Sequence, residues 1–138
     1  MKRRLALAIL LAAGLAAPAA AQTVGTLNPR PLPPLANPDD PNVPAKELFG
    51  RATSAAPMEA RAFGFYSRGC LAGGMALPVN GETWQVMRLS RNRMWGHPDM
   101  IAFLERFARR VPQVSGWPGI LVGDISQPRG GPMLTGHA

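Results

Sequence analysis

In 138 residues the chain has one cysteine, two histidines and 8 acidic side chains against 15 basic ones. The lone Cys70 excludes a framework of internal disulfides. His97 and His137 lie far apart in sequence, and neither has a cysteine or second histidine nearby, so no local cluster of metal ligands exists. No phosphate-binding glycine pattern and no dinucleotide fingerprint is present. Ser126, His137 and Asp124 supply the residue types of a serine hydrolase triad, but no nucleophile-elbow sequence surrounds the serine. No internal repeat is found, and the length allows one domain.

Long apolar runs are also missing, with one exception at the start. Lys2-Arg3-Arg4 precede a nearly unbroken apolar stretch over residues 5–17, and Ala19-Ala20-Ala21 come next. Positive residues, a short apolar segment and small residues form a secretory signal peptide over residues 1–21, cleaved before Gln22. The apolar run is short for a bilayer crossing and ends in Pro18 and alanines rather than in a charged stop. No cysteine stands at the cleavage point, which argues against a lipoprotein anchor. The protein is therefore expected in the periplasm, without a membrane anchor after cleavage. Loss of the three basic residues of the signal leaves 12 of the 15 against 8 acidic residues, a net charge of +4. Such an excess favours an anionic polymer or surface. Nucleic acid is not the expected partner, because the basic residues are scattered and no aromatic-basic module appears.

Proline dominates the segment after the signal. Residues 22–44 include NPRPLPPLANPDDPNVP, where missing backbone donors and few large apolar groups predict a disordered or polyproline-type linker. The globular part is expected over residues 45–138. Ala45-Lys46-Glu47-Leu48-Phe49 allows one helical turn, closed by Gly50. Residues 62–71 read as strand and turn, Gly73-Gly74 as a turn, and Asn80-Gly81 as the strongest turn signal. Residues 84–89 alternate as a strand, with Trp84, Val86 and Arg88 on one face. Residues 91–96 read as a loop.

The clearest helix starts at Pro98, a residue suited to the first helical position, with Asp99 in the first turn. Met100, Phe103, Leu104, Phe107, Ala108 and Val111 recur at helical spacing as one core-facing stripe. Glu105 and Arg109 are placed to pair, Arg109 and Arg110 to complement the C-terminal dipole, and Pro112 to stop the helix. Gly119 to Gly123 is a glycine-bounded apolar run, read as a buried strand. Residues 127–132 then form a loop that leads to Thr135-Gly136-His137-Ala138. This order predicts an α+β fold, a small mixed or antiparallel sheet with one strong amphipathic helix, in a domain expected to be incomplete.

The chemistry legible at this level is modest. His97 is expected to shape the helix entry, and Asp124 to cap a loop. His137, delivered by a glycine-flanked loop beyond a strand, is the better metal-ligand candidate. Zinc needs at least three protein ligands. His137, His97 and Cys70 with Asp99 or Asp124 reach that count, but their spacing does not bring them together.

Several short blocks, in order, carry a resemblance: YSRGCLAGG at residues 66–74, Leu77-Pro78, WQVMR at 84–88, Trp95-Gly96-His97-Pro98, and LVGD at 121–124 through PRGG at 128–131 to Gly136-His137-Ala138. Together they resemble the N-terminal part of the penicillin-insensitive murein endopeptidases, a family within the lysostaphin and D-Ala-D-Ala metallopeptidase group. The resemblance implies a periplasmic zinc enzyme that hydrolyses D-alanyl–diaminopimelyl cross-links in peptidoglycan. Zinc would lower the pKa of a bound water, and no serine would be acylated for a β-lactam to trap. Gly136-His137-Ala138 is similar to the start of the family block GHASHQxGLDxD, whose first histidine is a metal ligand. That implies a ligand role for His137, the other ligands lying beyond residue 138. Cys70 resembles the family cysteine that pairs with a distant C-terminal one, so its disulfide partner is implied to be absent here. The chain is thus expected to be an N-terminal fragment, inactive alone and with no complete catalytic set. The alternative is a non-catalytic murein-binding or structural domain.

The intact mass of the exported protein should correspond to a chain starting at Gln22. Retention of residues 2–21 in a membrane fraction would contradict the cleavage site.

Overall fold

In the computed structural model, residues 32–65 and 68–134 are described. Residues 1–31, which hold the expected signal peptide and the start of the expected linker, residues 66–67 and residues 135–138, His137 among them, lie outside the described residues. Residues 32–44 are mostly exposed and run through turns without regular structure. They meet the body where Arg51 Nε donates to the Pro33 carbonyl at 2.9 Å. Helix α1 (Ala45–Phe49) is the expected single turn, followed by Gly50. Arg51 reaches back to Glu47 across one turn.

Six short strands come next among the described residues, arranged as three two-stranded pieces. Strands β1 (Arg61–Phe63) and β2 (Cys70–Ala72) form an antiparallel hairpin with Phe63 opposite Cys70. Strands β3 (Met75–Ala76) and β5 (Trp95–Gly96) pair antiparallel, and β4 (Trp84–Val86) pairs parallel with β6 (Ile120–Val122). A parallel pair needs a crossover, and the main helix α2 (Pro98–Ser115) supplies it. The fold is α+β, as the order of elements predicts.

The pieces are joined by backbone bonds between irregular residues. Leu77 N–H donates to the Met94 carbonyl at 2.8 Å, and Val86 N–H to the Val79 carbonyl at 2.8 Å. Inside lies one apolar cluster of Leu77, Val86, Met94, Ile101 and Val122, flanked by Trp84, Trp95, Ile120 and Ile125. One helix, two strand pairs and a loop each contribute to it, so none of them buries its apolar face alone.

Several local expectations are overturned, each for a visible reason. The strand read over residues 84–89 ends at Val86, because Arg88 turns left-handed (φ 54°) and starts a 3-10 turn at Leu89–Arg91. Asn92 is also left-handed (φ 50°). Together they redirect the chain so that residues 95–96, read as loop, become β5. In β6 only Val122 is buried, while Leu121 is exposed, so the strand is half-covered rather than buried.

Helix α2 does not stop at Pro112. It runs on to Ser115 and ends at Gly116, which is left-handed (φ 72°), the usual glycine exit. Pro112 cannot donate to the Ala108 carbonyl. Ser115 Oγ supports the final turn by donating to the Val111 carbonyl at 2.8 Å. Arg109 and Arg110 consequently sit inside the helix, not in its last turn. The core-facing stripe is also different. Ile101, Ala108 and Val111 are buried, whereas Met100, Phe103 and Phe107 are exposed. The expected stripe merged two neighbouring apolar faces of which only one meets the core.

This division is testable by denaturant unfolding. Ile101 is 1% exposed, and Ile101→Ala should cost about 2–5 kcal/mol. Val114 is 78% exposed, and Val114→Ala should change stability by less than about 0.5 kcal/mol.

Candidate functional site

The segment that leaves β6 is held on every side. Its first anchor is Asp124, whose side chain is 2% exposed. Asp124 Oδ2 accepts from Arg93 Nη1 and from Arg91 Nη1, both at 2.8 Å. Arg93 is itself buried, while Arg91 is 41% exposed at its side chain. Burial works to raise the Asp124 carboxyl's pKa. The hydrogen bonds from Arg93 and Arg91, with their positive charges, outweigh it and hold the carboxyl below its ordinary 3.8. Asp124 is therefore a buried, ionised strut rather than a loop cap.

Backbone bonds continue the attachment. Ile125 N–H donates to the Arg93 carbonyl at 2.7 Å, and Trp95 N–H to the Ser126 carbonyl at 3.0 Å. Gln127 is buried, and its amide Nε2 donates to the carbonyls of Gly130, Gly131 and Pro132 at 2.7, 3.3 and 3.0 Å. The two amide hydrogens of one side chain are thereby shared among three successive carbonyls. Leu71 N–H donates to the Arg129 carbonyl at 2.8 Å, which fastens the far side of the loop to β2. Arg129 Nε donates to the Ser54 carbonyl at 3.3 Å.

Gly130 and Gly131 are both left-handed, with φ of 61° and 75°. Space forbids a side chain as well. A Cβ at Gly130 would stand 3.0 Å from the Leu71 nitrogen, and one at Gly131 would stand 2.5 Å from the Phe49 ring. Only glycine fits both positions. The whole of residues 124–132 is thus a fixed loop packed against β2, β5 and α1, and the chain proceeds from it towards residues 135–138.

The other candidates occupy separate places. His97 is the N-cap of α2, where its Nδ1 accepts from Asp99 N–H at 3.3 Å. Cys70 lies on β2, has no disulfide partner among the described residues and bridges to Gly130. Ser126 Oγ donates to the Gln127 carbonyl at 3.1 Å and the Asp124 carboxylate accepts from two arginines, while His137, the middle member of the drawn triad, lies outside the described residues. Among the described residues no three His, Cys, Asp or Glu side chains are placed to hold a metal ion. Those residues alone do not fit zinc. His137, the ligand implied by resemblance, lies outside them.

Sequence reading missed Gln127 and the two arginines. The Arg91-x-Arg93 spacing, with an aspartate just past a strand, was the available signal, but their convergence depends on the left-handed turns at Arg88 and Asn92. A shallow groove of about 310 Å³ lies elsewhere, between the entry ends of β4 and β6, lined by Glu82, Thr83, Trp84, Pro118 and Leu121. It is at the opposite end of that pair from Asp124.

Comparison with known proteins places this geometry in context. Residues 62–138 match the family model described as penicillin-insensitive murein endopeptidase. A penicillin-insensitive murein endopeptidase of Haemophilus influenzae is 51% identical over 80 residues, covering 58% of this chain and 28% of that protein. The proteins of the same name from Escherichia coli O1:K1 and from strain SMS-3-5 are each 39% identical over 88 residues, 64% of this chain and 32% of theirs. The chain thus spans roughly three tenths of the length of these relatives.

Asp124→Asn should cost about 3–5 kcal/mol near neutral pH, since it removes the carboxylate charge that Arg93 and Arg91 both bond. The Asp124 carboxyl's pKa is lowered on folding, so its contribution is full above 3.8 and fades as pH falls through the lower folded value. Unfolding curves of the two proteins should therefore converge in strong acid. An equal gap at all pH values would contradict the ion-pair account.

Proposed function

The chain belongs to the penicillin-insensitive murein endopeptidase family, and we propose that it is the N-terminal part of a periplasmic zinc endopeptidase acting on the D-alanyl–diaminopimelyl cross-links of peptidoglycan. The observation that carries this reading is the overlap of the family match with the anchored loop. The match starts within β1 and covers every element that fixes residues 124–132 except α1 and its neighbouring turn.

On this reading the chain supplies scaffold rather than chemistry. Asp124, Arg91, Arg93, Gln127, Gly130 and Gly131 hold a loop whose onward residues include His137, the single zinc ligand assigned in this chain. The carboxylate of Asp124 is engaged by two guanidinium groups and is no candidate for a general base. His97 serves the entry of α2. Cys70, next to the loop through its bridge to Gly130, is assigned the disulfide position, with a partner beyond this chain. Export by residues 1–21 puts the protein where peptidoglycan is. Among the described residues no helix is long and apolar enough to cross a membrane. The net charge of +4 after cleavage suits an anionic polymer.

One imidazole cannot hold a tetrahedral ion, so this chain should bind zinc weakly and leave cross-linked muropeptides intact. A version extended with the rest of the family's ligand block should bind one zinc and cleave them. In that version His137→Ala should abolish metal and activity together. His97→Ala should lower stability by about 1 kcal/mol and leave metal content unchanged. Digestion of murein with product analysis, beside metal quantitation, reads all of these. Chelator-sensitive cleavage by the short chain would refute the fragment reading. Binding of sacculi without cleavage by either version would make the chain a murein-binding domain instead.

A further inference from the structure

The outer face of α2 has no role in the fold or in the anchored loop. Met100, Phe103, Phe107 and Val114 line it, between 46% and 78% exposed. At about 100° per residue they fall within about 60° of one another and make one stripe. Phe103 and Phe107 stack, with ring centroids 6.2 Å apart and planes at 15°. The helix has 18 residues and is about 27 Å long. On one side of the stripe the buried Ile101 and Ala108 turn towards the core.

Charge decides what the stripe can meet. On its other side stand Arg110 and Arg106, about 20° and 60° round from Phe103. Both are exposed, and neither has an ion pair among the described residues. Arg109, further round, is paired with Glu105 at 4.0 Å. Asp99 is the one carboxylate on that flank, and it lies at the entry of the helix, about 16 Å from Arg110 along the axis. Trp117, just past the glycine exit, is 69% exposed, and its indole N–H has no hydrogen-bond partner among the described residues. The indoles of Trp84 and Trp95, by contrast, donate to the Pro78 carbonyl and to Asn92 Oδ1.

An apolar stripe, unpaired cations on one flank and a free indole at one end have the layered order of a lipid interface. A helix lying in such an interface buries its stripe among acyl chains and keeps its basic residues level with the headgroups, where indoles also settle. A polysaccharide or a nucleic-acid backbone would meet the arginines but give Met100 and Val114 no apolar layer to enter. We propose that α2 is a peripheral membrane-docking helix, which lays Met100, Phe103, Phe107 and Val114 into a layer of anionic phospholipid while Arg106 and Arg110 bind its phosphates. The helix lies on the bilayer and does not cross it, as its length and polarity require. The proposal is independent of the enzymatic reading. One stripe and two arginines hold weakly, so docking should be reversible and should weaken as salt rises.

Co-sedimentation of the exported full chain with unilamellar vesicles tests this. Each arginine near an anionic surface contributes about fivefold in binding. Vesicles of phosphatidylglycerol and phosphatidylethanolamine should therefore bind the chain about thirtyfold more tightly than vesicles of phosphatidylcholine. Arg106→Gln with Arg110→Gln should remove that difference, and Arg106→Lys with Arg110→Lys should keep it. Phe107→Ser should weaken binding to both kinds of vesicle about tenfold. Circular dichroism should show an unchanged fold in all of these, since each altered side chain is exposed. Equal binding to the two kinds of vesicle, or binding to neither, would overturn the proposal. So would full binding by Phe107→Ser or by the glutamine pair. Self-association of the chain, or capture by murein sacculi, that is lost in Phe107→Ser while vesicle binding is not would assign the face to a second copy or to the wall polymer and equally overturn it.

Discussion

Asp124 is the point at which two distant parts of the chain are locked together. The carboxylate comes from the exit of β6, and the guanidinium groups come from the connection between β4 and β5. Taking these charges out of water costs several kcal/mol per ion, and the attraction does little more than repay it. The value of the pair lies in specificity. Moving the Asp124 carboxylate away would cost the buried Arg93 this bond, which favours one position for the β6 exit. Once that is set, the Ile125 and Trp95 backbone bonds fall into register, and Gln127 is placed to fold the following carbonyls around its amide. The loop owes its shape to these polar constraints and to two glycines, since it has little apolar surface of its own.

The apolar core does a different job. Leu77, Val86, Met94, Ile101 and Val122 come from five separate stretches, and their burial gathers strands of only two or three residues that could not persist alone. Each such side chain is worth about 1.5–3 kcal/mol when fully buried. The core determines that β4, β6 and α2 assemble, and the ion pair determines how the chain leaves them. The first is a requirement of folding. On the proposed reading the second bears on function, because His137, the proposed ligand, lies thirteen residues beyond Asp124 in sequence.

Elements with long-range periodicity or strong punctuation were legible in sequence. The start of α2 at Pro98 and the Glu105–Arg109 pairing arise from local rules, whereas the reversal expected at Asn80-Gly81 falls at residues 82–83, with Asn80 paired opposite Gln85. The exit of α2 did not, because Pro112 stops helices only when the last turn has no other support, and Ser115 gives it that support. The faces of α2 were conflated because two apolar stripes side by side have the same periodicity as one broad stripe. Only the packing of Ile101 against β3 and β5 shows which is inner. β5 was invisible because two residues carry no alternation, and its position depends on left-handed Asn92, a residue type that tolerates such geometry, and on left-handed Arg88, a type that does not announce it. At the site, residue types and spacing stopped short of a metal centre. The resemblance of ordered blocks, rather than any one histidine, carried the family, and the family match over residues 62–138 agrees with it. Burial of Asp124 is a property of the folded chain, and composition could not disclose it.

If the Asp124 lock governs this region, the loop is rigid before any metal or further polypeptide is added. Native-state hydrogen exchange of this chain measures that directly. The amides of Leu71 and Ile125, which attach the loop, and of Gly130, which bonds Gln127 within it, should exchange as slowly as those of Leu77 and Val86 in the core, and Asp124→Asn should release the first group selectively. Exchange of Leu71, Ile125 and Gly130 at the rate of an unfolded chain, with Leu77 and Val86 still protected, would contradict it.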